Sequence, residues 1–146
     1  MKFLSGEETA DFLEDLIYLD TQVSDKGLDL TVSSIYKLTE RGELDFGGGE
    51  RKDGELREIE PELRDEEDDY GWWELEKGTY LMEYNESLTE DCESAYIQPL
   101  LRLTRNSAVH PSKFVEQLDL VPLTVGDEGL SIKENSRVSR IFVVKD

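Results

Sequence analysis

The chain has 146 residues, 37% of them hydrophobic, which is enough for one compact domain over residues 1–146 and too few for a second core. Its 35 acidic side chains outnumber 16 basic ones, and the formal net charge of −19 argues against nucleic acid and anionic membranes as partners. The single cysteine excludes an internal disulfide, and the lack of a long apolar run or a signal-like start predicts a cytoplasmic protein.

The first predicted element is a short amphipathic helix near the N-terminus. Ser5 and Glu8 have the spacing of a capping box, which marks the start of a helix. The apolar residues after this box recur at helical spacing: Phe12, Leu13, Leu16 and Ile17.

The next segment, GLDLTV, predicts a half-buried strand, because its apolar residues alternate with Asp29 and Thr31. A carboxylate on the polar face of such a strand can hold a hydrated divalent cation. It can equally be a solvated strand acid. Both interpretations of Asp29 stay open at this level.

An acidic excursion follows, from about residue 47 to residue 69. It is rich in Gly, Glu, Asp and Arg, ends in the run DEEDD, and has too few apolar residues to order itself. Acid is also spread along the rest of the chain, as in proteins that stay hydrated in concentrated salt. We therefore expect a halophilic protein with a solvated loop here.

The rest of the chain predicts several short strands. In one of them Tyr80, Met82 and Tyr84 alternate with Leu81 and Glu83. Further strands are expected at residues 95–103, 118–125 and 137–144, with a turn at residues 126–129. Many short strands and one helix predict a mainly β fold.

Two features carry candidate chemistry. Trp72 and Trp73 are adjacent on a predicted strand, so one ring points inward to the core while the other is free to stack on a base. The segment QPLLRLTRNSAVHPS concentrates Arg102, Arg105 and the only histidine, His110, in an acidic chain. This segment is either an anion site or a pair of structural arginines. A lone histidine and a lone cysteine do not make a zinc site, so a structural role is favoured for His110.

Three segments resemble the dUTPase and dCTP deaminase family in its archaeal form: GLDLTV, GTYLMEYNESL with QPLLRLTRNSA, and GLSIKENSRVSRIFV. The resemblance covers most of the chain outside the acidic excursion. It implies a distorted β-barrel or jelly roll that forms a homotrimer with active sites between subunits. It also implies hydrolysis of dUTP to dUMP and pyrophosphate, deamination of dCTP, or both.

The resemblance assigns roles residue by residue. Asp29 matches the family position that binds Mg²⁺ through water. Arg102, Arg105, Asn106 and Arg137 match or neighbour positions that contact the substrate. The family's second motif reads Pro-Arg-Ser-Ser-Leu, whereas this chain has Pro-Leu-Leu-Arg-Leu, so two hydroxyls are lost and the arginine is displaced.

The family's third motif, with its water-activating Asp and its Gly-Tyr pair, has no clear counterpart in VHPSKFVEQL. Phe114 is the aromatic residue nearest to the tyrosine position, and Glu116 or Asp119 is the nearest candidate general base. The following LVPLTV lacks the deaminase carboxylate, which makes deamination of dCTP the weaker alternative.

The first functional hypothesis is therefore a magnesium-dependent, dUTPase-like hydrolase of deoxynucleoside triphosphates. The second is a catalytically degenerate trimer that binds nucleotides or another protein. The altered second and third motifs are what distinguish the two.

Overall fold

β-Strands dominate the chain, which a computed structural model describes from residue 1 to residue 146. The strands are β1 Lys2–Phe3, β2 Leu13–Glu14, β3 Leu28–Leu38, β4 Leu56–Glu58, β5 Trp72–Leu75, β6 Gly78–Tyr84, β7 Ser87–Leu88, β8 Ala95–Pro99, β9 Ala108–Val109, β10 Lys113–Val115, β11 Val121–Val125, β12 Leu130–Lys133 and β13 Arg137–Lys145. The helices are α1 Gly6–Ala10, α2 Leu19–Gln22 and α3 Leu101–Thr104.

The main sheet has the order β10-β8-β13-β3-β6-β11-β9, with β1 added on β13 and β4 added on β3. All of its pairs are antiparallel, and two small sheets, β12-β5 and β2-β7, complete the fold. This curled sheet confirms the predicted mainly β fold. None of the helices has the length and apolar character needed to cross a membrane.

The N-terminal helix is shorter than its apolar spacing predicts. The capping box of Ser5 and Glu8 is present in both directions, but α1 ends at Ala10. Leu13 then pairs with Leu88 between β2 and β7 and is 7% exposed, so its side chain reaches the core from a strand. Tertiary burial therefore overrides the helical pattern beyond Ala10.

The first five residues of β3, Leu28 to Val32, are buried on both faces, which corrects the expectation of a half-buried strand there. Leu28 and Leu30 are 0% exposed, and the polar residues Asp29 and Thr31 are only 4% and 2% exposed. The polar face is covered because buried Gln22 of α2 and the arginines of β13 lie against it. The alternation of apolar and polar residues predicts which residues share a face of the strand, but it does not predict what covers each face.

The strand predicted at residues 95–103 ends at Pro99 instead. Leu100 is still extended, and its N–H donates to the carbonyl of Val138 at 2.9 Å. The chain then turns into α3, where buried Leu103 anchors the helix to the core. As a result Arg102 and Arg105 project from a short helix and its C-cap.

The acidic excursion contains more structure than its composition predicts. Strand β4 pairs with the end of β3, and Glu43 and Lys52 exchange two backbone hydrogen bonds of 2.7 and 2.9 Å. Its side chains are nevertheless mostly exposed, including Leu56 and Leu63. Backbone pairing orders this segment without a core of its own.

Candidate functional site

Two neighbouring pockets, with cavity volumes of about 250 and 190 Å³, share Arg102, Ser136 and Arg137. We call the two together the arginine groove. The first is also lined by Ile17, Tyr18, Thr21, Gln22, Thr31 and Asn135, and the second by Trp72, Leu103, Asn106, Leu130, Ser131, Ile132, Lys133 and Val138. No carboxylate lines the groove, although the chain carries 35 acidic side chains. Its cations therefore suit an anionic ligand.

Asp29 holds two arginines of β13 in place beside the groove. One carboxylate oxygen accepts hydrogen bonds from Nε and Nη2 of Arg140 at 3.0 and 2.9 Å, and the other accepts from Nη1 of Arg137 at 3.1 Å. The Asp29 side chain is 5% exposed, whereas the two arginines are about 30% exposed. A buried anion thus orients Arg137 at the groove wall.

A β-bulge in β13 makes this arrangement possible. Arg137 pairs with Thr31, but Ser139 pairs with Leu30 and Arg140 with Asp29, so Val138 is an extra residue. Residues three apart on a regular strand point to opposite faces, and one additional residue returns them to the same face. Both arginines therefore reach Asp29.

The environment of Asp29 disfavours direct coordination of a metal ion by its carboxylate. Both carboxylate oxygens are occupied by guanidinium donors, and two positive charges beside one carboxylate repel a dication. No group of three or more His, Cys, Asp or Glu side chains is arranged to hold an ion. The assignment of Mg²⁺ to Asp29, through water, stays a prediction from the family resemblance.

Helix α3 brings Arg102 to the groove. Arg102 and Arg105 are both exposed and form no ion pair within the chain. The amide of Asn106 donates to the Arg102 carbonyl at 2.8 Å, which ties the end of the helix together. Arg105 and Asn106 also line an adjoining pocket together with Glu128. Four of the five predicted substrate contacts, Arg102, Arg105, Asn106 and Arg137, therefore line adjoining pockets.

A buried carboxylate that the sequence analysis missed supports the floor of the groove. Glu86 is 3% exposed, and it accepts hydrogen bonds from the N–H and hydroxyl of Thr31 at 2.9 and 2.6 Å and from Gln22 at 2.8 Å. Burial raises its pKa, and the hydrogen bonds from Thr31 and Gln22 oppose that rise. The sequence did contain a sign of this burial. Glu86 lies two residues after Tyr84, and so continues the series of every second residue that points into the core.

His110 lies in a buried hydrogen-bonded chain rather than at a surface site. Its Nε2 is 2.7 Å from the Ser139 hydroxyl, which is 2.6 Å from the Tyr84 hydroxyl, and its Nδ1 is 2.9 Å from the Pro111 carbonyl. Because a carbonyl only accepts, Nδ1 carries the proton and Nε2 accepts from Ser139. Burial lowers the pKa of His110, in agreement with the structural interpretation.

The single chain does not bring the remaining predicted residues to the groove. Glu116 and Asp119 are exposed after β10, and neither lines the groove. Phe114 is 55% exposed on β10 and packs edge-on against Tyr96, with 5.1 Å between ring centroids. The general base and the aromatic base contact therefore stay predictions.

Comparisons with known proteins agree with this picture of the chain. A relative from Archaeoglobus fulgidus named probable deoxyuridine 5'-triphosphate nucleotidohydrolase is 28% identical over 99% of this chain and 89% of its own length. One of the same name from Halobacterium salinarum is 30% identical over 71% of this chain and 61% of its own length. No family profile matches.

A solved structure shows the same fold. The 2'-deoxycytidine 5'-triphosphate deaminase from Agrobacterium tumefaciens matches 96% of this chain with a TM-score of 0.61 and 16% sequence identity. The chain covers 47% of that protein, and so spans about half of its length. The resemblance found in the sequence motifs is thus confirmed.

Proposed function

We propose that this chain is a member of the dUTPase and dCTP deaminase family, that it binds deoxynucleoside triphosphates in the arginine groove, and that it hydrolyses dUTP to dUMP and pyrophosphate. The observation that carries the proposal is the groove itself, a cationic surface without carboxylates on a chain of net charge −19. Arginine is suited to such a ligand because its planar donors match phosphate oxygens in pairs.

The proposal gives each groove residue a task. Arg102, free of an acidic partner, and Arg137, oriented by Asp29, bind phosphate oxygens, and Arg105 with Asn106 extends the contact along the adjoining pocket. Mg²⁺ commonly binds proteins through substrate phosphates, so we expect the ion to enter as part of the triphosphate. Asp29 then acts as the residue that positions Arg137.

Hydrolysis needs a base that the groove of one chain lacks. We assign that task to Glu116 or Asp119 of a neighbouring copy in a homotrimer, with Phe114 as the accompanying base contact. Exposed Leu101 and half-buried Leu100 and Tyr96 provide apolar area for such an assembly. We expect the reaction to take place in the cytoplasm.

A second candidate is nucleotide binding without hydrolysis. It is favoured by the position of Glu116 and Asp119, which are exposed and outside the groove of their own chain. Deamination of dCTP has less support than either candidate, because strand β11 carries no acidic residue.

The test is to measure dUTP binding by calorimetry and dUTP turnover with Mg²⁺ in molar salt. Replacing Arg102→Gln removes charge-assisted hydrogen bonds, so dUTP affinity should fall about ten- to a hundredfold. Arg41→Gln, at an exposed arginine that precedes the acidic excursion and forms no ion pair, is the matched control and should change affinity little.

The double variant Glu116→Gln, Asp119→Asn separates the two candidates. If either carboxylate is the base, turnover should fall by about a hundred- to ten-thousandfold while dUTP binding persists. Binding without measurable turnover in the unaltered protein would support the second candidate. Absence of dUTP binding would refute both.

A further inference from the structure

Trp72 and Trp73 have opposite environments on β5. Trp73 is 2% exposed, and its indole N–H donates to the Ile59 carbonyl at 2.8 Å, so it belongs to the core. Trp72 is half-buried, lines the arginine groove beside Arg102 and Arg137, and its indole N–H has no acceptor within the chain. The outer ring of the pair thus belongs to the candidate site.

One face of the Trp72 ring is already covered. The guanidinium carbon of Arg64 lies 3.6 Å from the ring centroid, and Arg64 is held by Glu74 at 2.9 Å. Arg64 does not line the groove, whereas Trp72 does. Lys133, the cross-strand partner of Trp72, has its ammonium 5.9 Å from the same centroid. These contacts hold the ring in place at the groove wall.

We propose that Trp72 stacks on the nucleobase of the triphosphate whose phosphates bind Arg102 and Arg137, an inference that rests on the proposed function. A half-buried aromatic ring in the wall of a cationic groove matches a ligand that joins a flat base to phosphates. Every base has a π-face, so this contact recognises nucleotides as a class and does not select uracil.

The experiment compares dUTP with inorganic tripolyphosphate, which has the phosphates and no base. Affinities are measured by calorimetry for the unaltered protein, Trp72→Leu and Trp72→Phe. We expect Trp72→Leu to weaken dUTP about five- to a hundredfold without changing tripolyphosphate affinity, and Trp72→Phe to restore most of the loss. Phe46→Leu, at a fully exposed ring just before the acidic excursion, is the matched control.

Tryptophan fluorescence of the unaltered protein supplies a readout that does not depend on the folding of a variant. The chain has two tryptophans, and the proposal requires dUTP, but not tripolyphosphate, to quench Trp72 in the unaltered protein. Core Trp73 alone, in Trp72→Phe, should show no such quenching.

Four outcomes would overturn the proposal. Equal weakening of both ligands in Trp72→Leu would mean that the ring only shapes the groove. Loss of dUTP affinity in Phe114→Leu but not in Trp72→Leu would assign the base to the other ring. If neither dUTP nor tripolyphosphate binds the unaltered protein, both the proposed function and this inference are refuted. If tripolyphosphate binds and Trp72→Leu leaves the dUTP affinity unchanged, only this inference is refuted.

Discussion

At the scale of single residues, the ion pairs of this chain differ mainly in their exposure to water. Asp29 is 5% exposed and faces Arg137 and Arg140, whereas Arg51 and Asp53 form a pair that is 60% and 71% exposed. Water screens the exposed pair, so it contributes little to stability. Removing one partner of a buried pair leaves uncompensated charge and costs much more.

Asp29→Asn should therefore lower the free energy of unfolding by about 3 kcal/mol, because two guanidinium groups lose their common acceptor. Asp53→Asn, the matched change in the exposed pair, should cost less than about 1 kcal/mol. Urea unfolding of both variants at one fixed salt concentration measures the difference. Equal losses would show that Asp29 is no more than a surface partner.

At the scale of elements, the start of β3 depends on the close approach of two chain segments. Gly27 has φ +71°, and a Cβ there would lie 2.6 Å from the Ile141 carbonyl oxygen and 2.8 Å from the Phe142 ring. β3 and β13 are paired at this point and position Asp29 against its arginines. A side chain at Gly27 would push apart the two strands that form the site.

We expect Gly27→Ala to destabilise the protein by more than about 3 kcal/mol, since it combines a left-handed backbone with a steric clash. Gly48→Ala is the control for the backbone contribution, because Gly48 has φ +90° with no atom within 4 Å of a Cβ. Its cost should be about 1–2 kcal/mol at most. Thermal unfolding of the two variants distinguishes them, and equal shifts would contradict the proposed clash.

At the scale of the whole molecule, self-repulsion among 35 acidic side chains opposes the compact state. The same repulsion opposes the approach of further copies, so both folding and assembly should depend on ionic strength. Screening shortens the range of this repulsion to about 3 Å at 1 M salt.

The unfolding temperature should therefore rise between low salt and molar KCl, and light scattering in molar KCl should report a mass of three copies. Sucrose solutions of matched water activity at low salt are the control for general effects of excluded solutes. An unchanged unfolding temperature would refute the halophilic interpretation. A stable monomer in molar salt would remove the shared-site hypothesis for Glu116 and Asp119.

The features that the sequence determined by itself are local ones. The capping box of Ser5 and Glu8 and the alternation of Tyr80, Met82 and Tyr84 need only neighbouring residues, and both are present in the structure. The inward and outward rings of the tryptophan pair follow from the same period of two. The mainly β fold and the family motifs also follow from local sequence patterns.

The tertiary structure decided what each motif residue contacts. Arg137 and Arg140 are three apart and would point to opposite faces of a regular strand, and only the bulge at Val138 brings both to Asp29. Their partner lies more than a hundred residues away in the chain. The strand register that joins such distant segments depends on packing across the whole sheet, which no local pattern encodes.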